Sequence, residues 1–73
     1  MSEKTEMMAD MVKNLAALLA ERDSRMTMEE ALATVFNSDT YRKVMDERTH
    51  FYHQSPHYVF AFLEEELTKG KFE

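Results

Sequence analysis

His50, His53 and His57 come nearest in type and spacing to a site that could do chemistry, because clustered imidazole nitrogens are ligands for zinc, copper or nickel. The set is incomplete. No cysteine is present to join it, and His57 falls in the first turn of an expected helix, where the positive end of the dipole disfavours a cation. Solvated or capping histidines are the expectation, with no metal and no cofactor. A second grouping is Arg42, Lys43 and Arg48, which accompany two short helical stretches of helix-turn-helix length and could meet phosphates. Asp39, Asp46 and Glu47 cancel those charges locally. Glu64, Glu65 and Glu66 read as a solvated face, Glu66 lying nearest the apolar stripe, or as a docking edge for a basic partner. The serines and histidines show no spacing of nucleophile, base and orienting acid, so no catalytic residue is expected and the chain does not read as an enzyme.

Two apolar groupings point instead to contacts with other macromolecules. Met8, Met11, Leu15 and Leu18 occupy a and d positions of a short heptad seam that Arg22 breaks, and they are the residues expected to carry self-association if the seam does not pack within the chain. Tyr41, Phe51, Tyr52 and Tyr58 are expected to form an aromatic cluster that completes the core or receives a partner. The remaining methionines read as core, where an unbranched thioether fills irregular gaps.

The elements that position these residues are helical throughout. Ser55 and Pro56 make a firm start for a last helix over about 56–69, whose apolar face is Val59, Phe60, Leu63 and Leu67, with Lys69 suiting the dipole and Gly70 the left-handed cap. A first helix over about 5–22 carries Met8, Met11, Val12, Leu15, Leu18 and Leu19 on one face and Asp10, Lys13 and Glu21 on the other. Its strip of Ala9, Ala16 and Ala20 is explained first by helix propensity, and alternatively by a second helix in close approach. Thr27 and Glu30 form a capping box for a helix over about 28–37, with Met28, Ala31, Leu32, Val35 and Phe36 as its stripe and Asn37 as a left-handed stop. Ser38 or Asp39 caps a short helix over about 39–46, and 47–55 shows no period and reads as a loop. The fold class expected is all-α, a small bundle of three main helices plus one short helix in a single domain, 1–73.

Composition narrows the function classes. A chain of 73 residues buries only about 60% of the surface its unfolded form exposes, which leaves a thin core for which oligomerisation is a common remedy. Fourteen acidic against nine basic residues give a net charge of −5, which disfavours nucleic acid and anionic lipid and favours basic partners. With no cysteine, no membrane-length apolar run and a polar start over Met1 to Glu6, the expected setting is the cytoplasm, away from membranes.

The pattern Asn37-Ser38-x-Thr40-Tyr41, Ser55-Pro56-x-Tyr58, Leu63-Glu64-Glu65-Glu66-Leu67 and Gly70-Lys71 resembles that of a group of small bacterial all-helical proteins with no established activity. It covers the carboxyl-terminal half of the chain. The resemblance implies no cofactor and no catalytic residue, and it implies an accessory component of a small operon, antitoxin-like in type. The functional expectation is a protein–protein interaction module, a homodimer or the binder of another, basic protein. The alternative is a helix-turn-helix-like DNA-binding regulator.

Overall fold

A computed structural model describes residues 2–69, and among them the chain is all-α, with four helices, two short 3₁₀ turns and no strand. The first helix, α1 (Glu3–Arg22), starts earlier than its apolar period suggests, because the Ser2 hydroxyl accepts from the Thr5 amide at 3.2 Å and supplies a cap that periodicity does not report. The second, α2 (Met28–Phe36), begins at the expected capping box. Thr27 Oγ1 accepts from the Glu30 amide at 3.1 Å, and Glu30 Oε1 accepts from the Thr27 amide at 2.8 Å. Asn37 ends α2, but not in the left-handed conformation expected of it. At φ −94° and ψ 7° it donates both its backbone amide, at 3.1 Å, and its side-chain amide, at 2.8 Å, to the Ala33 carbonyl, closing the last turn.

Ser38 makes the corner. Its hydroxyl donates to the Val35 carbonyl at 2.6 Å and accepts from the Tyr41 amide at 3.0 Å, so one side chain closes α2 and opens α3 (Asp39–Val44). That helix ends at Val44 rather than at residue 46, since the Asp46 carboxylate caps the following turn instead. The segment 47–55, expected to be an irregular loop, holds two 3₁₀ turns, Glu47–Thr49 and Phe51–His53. They meet at His50, whose φ of 57° is the one positive value at a non-glycine among the described residues. The Thr49 hydroxyl holds the junction, donating to the carbonyls of Lys43 and Asp46 and accepting from the Phe51 amide. Turns of three residues are too short to show a period in sequence. The last helix, α4 (Pro56–Lys69), has the expected bounds, with Ser55 Oγ accepting from the Tyr58 amide at 3.2 Å. The Gly70 cap and the Gly70-Lys71 part of the pattern lie outside the described residues.

The core is built around α1, which packs on α2, α3, α4 and the Phe51–His53 turn, while the Glu47–Thr49 turn packs on α3. Met8, Met11 and Leu15 of the expected self-association seam are buried in the resulting core, and Leu18 packs half-buried against it, so the fold uses the seam internally. Of the alanine strip only Ala16 is buried, Ala20 being half-buried and Ala9 exposed. Ala16 on α1 and Ala31 on α2 are both fully buried, and their small side chains let the two helices close up. The expected stripe of α2 is only partly internal, since Ala31 and Val35 are buried but Met28 and Phe36 are exposed. On α4, Val59, Phe60 and Leu63 are buried as expected, whereas Leu67 is exposed and Glu66 takes the inner position. No helix among the described residues is long and apolar enough to cross a membrane.

Candidate functional site

Among the described residues a broad apolar concavity, a groove of about 330 Å³, lies between α1, α2 and the end of α3. Thr5, Ala9, Val12 and Lys13 line it from α1, Leu32 and Phe36 from α2, and Tyr41 with Met45 from α3 and the residue just past it. Phe36 is 52% exposed and Met45 41%. The Phe36 ring meets Tyr41 edge-on, with centroids 5.1 Å apart and planes at 74°, an arrangement that holds the phenylalanine upright at the groove instead of folding it into the core. Lys13, expected on the far side of α1, is the one charged residue in the lining.

The aromatic residues expected to cluster are divided among three places. Tyr41 belongs to the groove. Phe51 and Tyr58 meet on opposite contacts of Phe62, with ring centroids 5.1 Å and 5.3 Å from it, and Tyr58 stays half exposed. Tyr52 is buried in the core and stacks on His53 at 4.4 Å. The reason is topological, because Tyr41 stands on α3 while the 3₁₀ turn carries Phe51 and Tyr52 round to the α1 and α4 side. Phe36 and Met45, both of which sequence reading placed in the core, are groove residues it missed, and for Phe36 a cue existed. The signal available was its position as the last residue of a short helix, where neighbours on one side run out.

The glutamate run is not one solvated face. Glu64 is ion-paired with Arg22, and Glu65 with Lys69 at 3.5 Å. Glu66 is only 7% exposed, and its carboxylate accepts from the Asp39 amide at 2.7 Å, the Thr40 amide at 2.9 Å and the Thr40 hydroxyl at 2.8 Å. It therefore caps α3 from α4, a role that anion and helix start satisfy jointly. Val59, Leu63 and Glu66 share one helical face by spacing, so the inward position was open to view, although the purpose was not.

His50 and His53 stand with ring centroids 6.1 Å apart, His57 lies in the first turn of α4, and no group of three potential ligands placed to hold a metal ion occurs among the described residues. Among the cations proposed to meet phosphates, Arg42 pairs with Asp39 at 3.2 Å, and Arg48 makes a two-pronged contact to Asp46 at 3.0 and 3.1 Å. The Arg48 guanidinium, together with the Arg48 amide, holds the Asp46 carboxyl below its usual range, and the partner shift raises Arg48. Lys4 is likewise raised by its hydrogen bond to Glu47 at 2.8 Å, which ties the start of α1 to the first 3₁₀ turn. The helix that would follow the turn of a helix-turn-helix, α3, has six residues and buries Thr40 and Val44. No protein family, characterised protein or solved structure matches the chain significantly.

Proposed function

We propose that the chain is a protein–protein interaction module and that the groove between α1, α2 and α3 is where the partner sits. The observation that carries this reading is the pair of large apolar side chains, Phe36 and Met45, left exposed on either side of an apolar concavity in a domain with little core to spare. Binding is favoured over catalysis because the lining offers one ammonium, one threonine and one tyrosine hydroxyl, too few polar groups to orient a reacting molecule. DNA binding draws less support, since α3 is short and Arg42 and Arg48 are engaged by acids of their own segment. An accessory, antitoxin-like role is the same reading with a toxin as the bound protein. A homodimer would have to use a surface other than Met8, Met11 and Leu15, which face inward. The cytoplasmic setting belongs to the proposal and is supported by the absence of cysteine.

The test is affinity capture from the native cell with three baits: the native chain, Phe36→Asp and, as a control on the opposite surface, Tyr58→Ser. The proposal expects a protein retained by the native and Tyr58→Ser baits and lost with Phe36→Asp, while circular dichroism shows all three equally helical. Capture indifferent to Phe36 would overturn it.

A further inference from the structure

The chemistry of the groove narrows its occupant to one class. No strand exists among the described residues, so no sheet edge is on offer and an extended segment could not dock there by main-chain pairing. What remains is side-chain docking, and a channel between helices lined by Ala9, Val12, Leu32 and Met45 suits an apolar stripe at i, i+3, i+4 and i+7. Charge sets the flanks of that stripe. By helix spacing Glu6 lies one turn from Ala9 and two from Lys13, and Glu29 lies one turn from Leu32 and two from Phe36, so both carboxylates border the lining. Both are exposed, and neither has an ion-pair partner among the described residues. Two carboxylates against the single Lys13 ammonium make the border acidic, in keeping with the net charge of −5.

A second copy of this chain fits poorly. It would bring the same negative charge, and its large exposed apolar residues outside the groove make no stripe, since Tyr58 and Leu67 stand about 180° apart around α4 and Met28 is alone at the start of α2. We propose that the α1/α2/α3 groove receives one face of an amphipathic helix from a different protein, with lysine or arginine flanking the apolar stripe and meeting Glu6 and Glu29. This rests on the groove being the interaction surface, and the experiment separates the two claims.

Two synthetic helical peptides with an identical leucine stripe, one flanked by lysines and one by glutamates, are titrated into the full chain. Amide NMR shifts locate binding and fluorescence anisotropy measures it at low and moderate salt. The lysine-flanked peptide is expected to shift Ala9, Leu32, Phe36 and Met45 and to bind about three- to tenfold more tightly than the glutamate-flanked one, as two exposed ion pairs allow, with the difference shrinking as salt rises. Glu6→Lys combined with Glu29→Lys should reverse the preference, and both glutamates are exposed enough for the fold to tolerate it. Equal or inverted affinities with shifts still at the groove would overturn the basic partner and leave the groove standing. Binding located elsewhere, or none by either peptide, would overturn both. So would sedimentation of a dimer whose interface signals fall at Phe36 and Met45, since a second copy would then occupy the groove.

Discussion

His50 holds a left-handed backbone conformation in which its Cβ crowds the following carbonyl, a position that disfavours a side-chain-bearing residue by about 1–2 kcal/mol. It does so because two 3₁₀ turns must join without a spacer, His50 closing one with its amide on the Glu47 carbonyl at 3.3 Å and opening the other. Glycine adopts that geometry freely, though it also gives the unfolded chain more freedom. His50→Gly is therefore expected to raise stability by about 0.5–1 kcal/mol, read as a higher denaturant midpoint at unchanged slope. A drop would mean that the imidazole itself is held by contacts worth more than the backbone relief. The histidine was conspicuous in sequence for its possible chemistry. Its conformational role has no such signature, since the residue type that tolerates a positive φ best, glycine, is absent there.

At the scale of elements, two helix starts were legible from neighbours in sequence, whereas the equally local Ser2 cap of α1 was missed because the apolar period begins after it. Thr27 with Glu30, and Ser55 with Pro56, announced α2 and α4 because a cap and its target are separated by a single turn. The start of α3 has a second, distant participant that no local rule reveals: Glu66 reaches it from 26 and 27 residues away. Among the described residues this is the one carboxylate joining two helices by hydrogen bonds to buried main-chain amides, and its loss strands the Thr40 amide without an acceptor. Glu66→Ala should cost about 2–4 kcal/mol, and Glu66→Gln, which keeps one oxygen, about half as much. Hydrogen exchange should rise at Asp39–Val44 before the rest of the chain opens. If α3 amides stayed protected in Glu66→Ala, the carboxylate would be incidental to the docking of that helix.

For the molecule as a whole, the expectation that failed most instructively was that apolar residues at helical spacing all point to one place. Leu63 and Leu67 are one turn apart on α4, yet Leu63 is fully buried and Leu67 exposed, because the bundle is only 18 Å across in its thinnest dimension and runs out of interior at the end of the helix. The same shortage leaves Phe36 outside at the end of α2. A total stability of about 4–11 kcal/mol follows for 73 residues from about 0.05–0.15 kcal/mol each. Leu63→Ala should remove about 3 kcal/mol of it, whereas Leu67→Ala should change stability by less than about 1 kcal/mol, and chemical denaturation of the two variants side by side would check the contrast. The all-α class could be read from periodicity because helices announce themselves locally. Which face meets solvent could not, since it depends on where each helix outruns its neighbours.

The tie from Glu66 to the start of α3 also orders events during synthesis. Chain leaving the ribosome delivers α1, α2 and α3 first, and with them every residue that lines the groove, but the acid that ties α3 to α4 is made after all of them. Until it emerges, the Tyr41 and Met45 wall packs on α1 and α2 but lacks its tie to α4. A partner that recognises this surface would therefore engage chains from which α4 has emerged and bind less well to shorter nascent ones.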